Sequence, residues 1–194
     1  MIFRVAALCV LVIAAPAAAQ GFDLGVAGGV NFATLDETRQ ADLANSTGYH
    51  VGAYVDVSLP VAALRVGGYY LQAGDLETTS GAPVASAAFV TVPVDLLIQT
   101  PTPVVKAYVL VGPEVRFAVD TEGDVPQIDR ASPNVAGNVG VGARFGSPLG
   151  GLSGFVEVRY ARDLTAFAED NVAGFETDNA YELSLFMLRA GIGL

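Results

Sequence analysis

Residues 104–119 read Val-Val-Lys-Ala-Tyr-Val-Leu-Val-Gly-Pro-Glu-Val-Arg-Phe-Ala-Val. Val105, Val109, Val111, Val115, Phe117 and Val119 share one parity, and Lys106, Glu114 and Arg116 share the other. Alternation with a period of two is the signature of a strand whose faces meet different surroundings. Every charge in this stretch falls on one face, and the other face carries none.

The same pattern recurs in both directions from this stretch. Seven further segments alternate: 22–33, 48–59, 64–73, 87–98, 134–146, 153–161 and 180–194. Asp23 opposes Phe22, Leu24 and Val26, while Asp56 and His50 oppose Val51, Val55 and Val57. Arg65 opposes Leu64 and Val66, and Asp95 opposes Val94 and Leu96. Arg144 opposes Val141 and Phe145, Glu157 and Arg159 oppose Val156 and Val158, and Arg189 opposes Leu188 and Ile192. Glu182 alone falls on the apolar parity, near a strand end. Short connectors (60–63, 99–103, 147–152) alternate with long polar ones (34–47, 74–86, 120–133, 162–179). This sorting predicts an all-β, eight-stranded antiparallel up-and-down transmembrane barrel with short periplasmic turns and long acidic extracellular loops.

The physical reason is solvent. A sheet in lipid must pair every backbone group and therefore close, and its outer face must exclude charge. A soluble lipocalin-like carrier of an apolar ligand would invert the two faces. Charges are sparse for a solvated face: the whole chain is 15% charged and 52% hydrophobic. Tyr49, Tyr70, Phe117 and Tyr160 near one set of strand ends, with Phe22 and Phe145 near the other, fit interfacial girdles.

The 194-residue length suits one domain, and the net charge of −10 argues against a nucleic-acid partner. Residues 1–19 read as a cleaved secretory signal, with Arg4 as the basic region, residues 5–15 apolar and Ala17-Ala18-Ala19 before the cut. The barrel domain is then 20–194. Cys9 lies inside the signal behind Leu8, which excludes lipidation and leaves the mature chain without cysteine. Loss of Arg4 moves the net charge from −10 to −11. Strand acids Asp23, Asp56, Asp95, Glu114, Glu157 and Glu182 are matched by Arg65, Lys106, Arg116, Arg144, Arg159 and Arg189, so the excess acid lies in the long connectors.

Several motifs resemble PorT-like outer-membrane β-barrel proteins. Gly25-Val26-Ala27-Gly28-Gly29-Val30-Asn31-Phe32-Ala33 is similar to that family's opening strand. Phe89-Val90-Thr91-Val92-Pro93-Val94 is similar to its aromatic-x-x-x-Pro strand, and Lys106 to Pro113 to its Gly-Pro strand. Leu188-Arg189-Ala190-Gly191-Ile192-Gly193-Leu194 resembles a closing strand, ending on Leu194 where such barrels often end on an aromatic. The resemblance implies a small eight-stranded barrel of the OmpX or OmpA kind, in the outer membrane of a Gram-negative-type bacterium, without cofactor or assigned activity. Its C-terminal strand would be read by the barrel-insertion machinery.

The candidate site is a lumen charge network of Arg65, Asp95, Glu114, Arg116, Arg144, Glu157, Arg159 and Arg189. Eight strands enclose little more than the volume of their own side chains, which favours a salt-bridged plug over a narrow diffusion channel. Lipid A acyl-modifying barrels use a His with a Ser. Here His50 is the single histidine, and the inward Ser58 of its own strand is roughly 26 Å away. Asp120-Thr121-Glu122-Gly123-Asp124 alternates acids loosely like a calcium loop but lacks the distal Glu. Glu169, Asp170, Glu176 and Asp178 offer the same weak site for a divalent cation or a basic partner. Gly137, Gly140 and Gly142 fit no phosphate loop and read as strand curvature. The expected role is non-enzymatic, structural or surface-interacting.

Overall fold

The computed structural model describes residues 21–37, 46–59, 62–77, 83–102, 104–120, 128–130, 133–146, 151–165, 168–172 and 175–194. The segment read as a signal lies outside them. Ten strands follow in chain order: β1 (Phe22–Glu37), β2 (Ser46–Ser58), β3 (Ala62–Glu77), β4 (Pro83–Gln99), β5 (Val105–Asp120), β6 (Ile128–Arg130), β7 (Asn134–Gly146), β8 (Ser153–Asp163), β9 (Ala168–Val172) and β10 (Phe175–Gly193). Eight of them form a closed antiparallel up-and-down barrel in the order β1-β2-β3-β4-β5-β7-β8-β10, with β10 returning to β1. Closure runs from Gly25↔Gly193 to Glu37↔Tyr181. Leu24 and Leu194 extend it with reciprocal backbone hydrogen bonds of 3.2 and 2.9 Å. No helix among the described residues is long and apolar enough to cross a membrane.

The wall is taller on the long-connector side than alternation alone indicated. β3 and β4 pair beyond Gln72↔Ala88 to Glu77↔Pro83, across two register shifts. Short β6 and β9 pair with each other, and β9 pairs with the upper part of β10. Much of the sequence expected as loop in 34–47, 74–86, 120–133 and 162–179 is therefore strand. Backbone pairing carries the chain past the point where side-chain alternation fades, because the ladder needs only N–H and C=O groups.

The two faces have the polarity of a membrane barrel. Val26, Val111 and Val141 point outward at 53–55% exposure, with Leu64, Val94, Leu96, Val156 and Leu188 around them. Five carboxylates and five arginines turn inward and are buried, Asp23 and Lys106 near the short-turn end are half-buried, and Arg162 at the long-connector end is exposed. The lipocalin-like alternative requires the reverse and loses its premise. Toward the long-connector end, Phe32 and Phe186 lie 6.3 Å apart, as do Tyr49 and Tyr70. The Tyr160 hydroxyl meets Ser184 Oγ at 3.2 Å. Phe22 and Phe145 are exposed near the short-turn end. This is the two-girdle arrangement of a spanning wall.

Gly112-Pro113 has a local cause. A Cβ at position 112 would lie 2.0 Å from the Val94 carbonyl oxygen, so only glycine lets β5 approach β4 there. Pro113 supplies no N–H, and the paired register passes from Pro93↔Glu114 directly to Leu96↔Val111.

Val141 sits near the middle of β7, between Val109 and Val158 on its neighbours. Val141→Arg is expected to destabilise the barrel in lipid vesicles by about 2–4 kcal/mol in urea unfolding. Val141→Leu should stay within about 1 kcal/mol of the parent.

Candidate functional site

Inward positions build three layers. Toward the long-connector end, Ala33, Leu71, Ala73, Phe89, Ala161, Leu183, Leu185 and Met187 form a buried apolar cluster. Toward the short-turn end, Ala63, Leu97, Tyr108 and Leu110 form another, with Ala27, Tyr54, Tyr69 and Phe155 beside it. Ion pairs fill the interior alongside these clusters.

Glu157 on β8 is the hub. Its Oε2 accepts from Arg65 Nη1 at 3.0 Å and from the Tyr108 hydroxyl at 2.8 Å. Its Oε1 accepts from Arg159 Nη2 at 3.1 Å and faces Arg189 Nη1 at 3.5 Å. Arg65 also grips Asp56 through two parallel bonds, Nε to Oδ1 at 2.8 Å and Nη2 to Oδ2 at 3.0 Å. Arg144 pairs with the same Asp56. Arg159 Nη2 reaches Asp95 Oδ2 at 2.7 Å. Arg189 Nε donates to His50 Nε2 at 3.1 Å. A separate group lies higher: Arg116 donates to Glu114 Oε1 and to Asp163 Oδ1, both at 2.7 Å. Asn138 Nδ2 donates to the second Glu114 oxygen at 3.2 Å, and the Leu183 amide to the second Asp163 oxygen at 2.9 Å.

All eight residues of the candidate network are thus buried inside the wall and joined to partners. Five participants were outside that set: His50, Asp56, Tyr108, Asn138 and Asp163. Asp56 was read as inward but was not joined to Arg65. Tyr108 was not singled out for Glu157. Asp163 was assigned to the loop 162–179, although it continues the odd parity of Glu157 and Arg159; extending β8 by one more alternation finds it. Five buried carboxylates (Asp56, Asp95, Glu114, Glu157, Asp163) face five buried arginines (Arg65, Arg116, Arg144, Arg159, Arg189).

Aromatic rings hold the arginines in place. The Arg65 guanidinium carbon lies 4.1 Å from the Phe155 ring centre and 4.7 Å from that of Tyr54, and Arg189 lies 4.0 Å from Tyr69. Each of these rings faces a glycine across the ladder: Tyr54 opposite Gly25, Tyr69 opposite Gly52, Phe155 opposite Gly191. Tyr108 opposite Gly142 repeats the pattern. A Cβ at Gly142 would sit 2.4 Å from the Tyr108 ring, and one at Gly191 2.4 Å from that of Phe155. Gly142, read from sequence as curvature, makes room for a ring.

His50 is buried, its Nε2 lone pair engaged by Arg189 and its ring edge-on to Tyr69 at 6.4 Å. That lone pair is what a general base would need. No cluster of three or more metal-ligating side chains occurs among the described residues. The acids of 121–124 lie outside the described residues, as do the side chains of Asp120, Glu169, Asp170, Glu176, Asp178 and Glu182.

The sequence matches the family described as "Outer membrane protein beta-barrel domain" over residues 5–191. The chain belongs to this family. No curated protein matches it. Among solved structures, Neisserial surface protein A aligns over 90% of this chain and 96% of its own, at 15% identity and TM-score 0.58. OprG of Pseudomonas aeruginosa aligns over 90% and 97%, at 11% identity and TM-score 0.48. Ail, the attachment invasion locus protein of Yersinia pestis, aligns over 89% and 98%, at 13% identity and TM-score 0.44. At these identities the first likeness concerns the fold alone.

Removing one partner from a buried ion pair leaves its opposite number uncompensated. Glu157→Ala strips three arginines at once and is expected to destabilise the barrel by about 3–5 kcal/mol in urea unfolding. Tyr108→Phe, which deletes one hydrogen bond to the same carboxylate, should cost about 1.5–3 kcal/mol. Equal effects of the two would remove Glu157 from the hub position.

Proposed function

We propose that this member of the family is a closed, non-enzymatic barrel of a Gram-negative-type outer membrane, with a structural or surface-interaction role carried by its acidic extracellular connectors. The observation that carries this reading is the filled lumen. Five carboxylates and five arginines cancel inside the wall, and buried apolar clusters stand toward both ends. An ion entering would have to leave water at an apolar constriction as well as break an ion pair. The chain's net negative charge then falls on residues outside the network, where it meets solvent, a divalent cation or a basic partner. Export with removal of residues 1–19 and insertion guided by the C-terminal strand belong to this reading, as does a finer kinship to PorT-like barrels. The engagement of His50 by Arg189 supports the absence of catalysis.

Two measurements test it. The mature chain should fractionate with outer membranes and shift on a gel according to whether it is boiled. In planar bilayers it should show no unitary conductance, and Arg116→Ala alone should not create any. Leu185→Ser combined with Met187→Ser, which wets only the apolar cluster at the long-connector end, should not create any either, because the ion pairs and the short-turn cluster still fill the lumen. Discrete conductance steps from the parent protein would favour the narrow diffusion channel and overturn the closed barrel.

A further inference from the structure

The two ends of the barrel differ in charge. Residues 57–64, 96–105 and 145–156, which hold the three short connectors and the strand ends beside them, contain no Asp, Glu, Lys or Arg. Each long connector carries at least two acids. In place of charge the short-turn rim exposes large apolar side chains. Leu59, Val104 and Leu152, one at each turn, are 53–64% exposed. The charges nearest this end sit on the lumen parity: Asp23 accepts from Ser153 Oγ at 2.6 Å, Arg144 pairs with Asp56, and Lys106 is half-buried.

The turns also close their own polar groups. The Leu59 amide donates to the Ala62 carbonyl at 2.8 Å, and the Ser58 amide to that of Gly21 at 2.9 Å. Between β4 and β5, the Thr100 amide donates to the Ala107 carbonyl at 2.9 Å and the Ala107 amide to Thr100 Oγ1 at 3.0 Å. The Thr102 hydroxyl donates to the Val105 carbonyl, which leaves the Thr100 hydroxyl to donate to Thr102 Oγ1 at 3.1 Å. Pro60, Pro101, Pro103 and Pro148 bring no N–H that needs a partner. In water a turn can leave such groups to the solvent. Where water is scarce each open group costs free energy.

The height of the wall agrees. Tyr49 in the upper girdle and Leu59 are ten residues apart on one outward parity. At strand rise and a tilt of about 40°, they are separated by about 25 Å along the membrane normal, the full height of an apolar band. The band is therefore complete only at the turn, and nothing charged follows it.

We infer that the short-turn rim is seated in the periplasmic leaflet, with Leu59, Val104 and Leu152 at the boundary between headgroups and acyl chains, and that phospholipid covers it. The surface continues the lipid-facing wall without a break. The inference rests on that wall and is independent of whether the lumen conducts. An amphipathic segment buries its apolar side to a similar depth at a membrane surface.

The chain has no tryptophan, so a single introduced one reports alone. Leu59→Trp, Val104→Trp and Leu152→Trp are made separately in the mature chain and refolded into phospholipid vesicles, with Val141→Trp as the mid-wall reference. Each rim tryptophan should lose most of its emission to lipids brominated near the head of the acyl chain and little to aqueous acrylamide. The reference should respond most to lipids brominated near the chain end. Leu152→Asp gives a second readout. Aspartate suits a turn in water, so a hydrated rim would keep or raise the urea midpoint of the vesicle-folded barrel, whereas a lipid-seated rim should lower it. Strong acrylamide quenching without bromolipid quenching at the three rim positions would place the rim in water, open to a periplasmic protein, and overturn the inference. An unmoved or raised midpoint for Leu152→Asp would overturn it as well.

Discussion

A backbone amide facing hydrocarbon has no water to bond, so it must find its partner within the protein. That requirement explains why the last strand returns to the first, and why Leu194 and Leu24 exchange hydrogen bonds at the seam. Once the sheet is closed, each strand position faces either lipid or lumen. Valine fills the first and arginine with carboxylate fills the second. The sorting of charge is a consequence of closure, and the lumen chemistry is a consequence of the sorting.

Closure also sets the lumen's size, which settles how the charges are held. Eight strands leave room for side chains and little else. A guanidinium is broad and flat, and the chain makes space for it by placing glycines opposite inward aromatic rings. Gly25 admits Tyr54, Gly52 admits Tyr69 and Gly191 admits Phe155, and those rings lie against Arg65 and Arg189. The glycines thus act on the charges at one remove, through the rings. Without them the lumen would be too full for its arginines.

The fold was legible because alternation is a local signal. Val156-Glu157-Val158-Arg159 states which side chains turn inward with no knowledge of their neighbours. Partners were not legible, because they depend on the stagger between strands. Nothing local joins Arg65 to Glu157, 92 positions away, or Arg189 to His50, 139 positions away. Asp163 was lost for a different reason. A polar connector and the last inward position of a strand have the same composition, and only the ladder tells them apart. The extra height of β3, β4 and β10 escaped on the same ground. Glycines opposite aromatics escaped because a glycine's neighbour across the sheet is invisible along the chain.

The span of these pairings constrains the order of assembly. Arg65 on β3 meets Asp56 within the β2–β3 hairpin, but it also reaches Glu157 on β8, and Arg159 on β8 reaches Asp95 on β4, so no hairpin on its own completes the network. A nascent sheet carrying unpaired arginines cannot give up its hydration to the bilayer. Water must therefore accompany the inner face throughout insertion and depart only when the seam between β1 and β10 zips. Desolvation of the interior is the final event of maturation, and the chain commits to the membrane on its outside before it commits to itself on the inside.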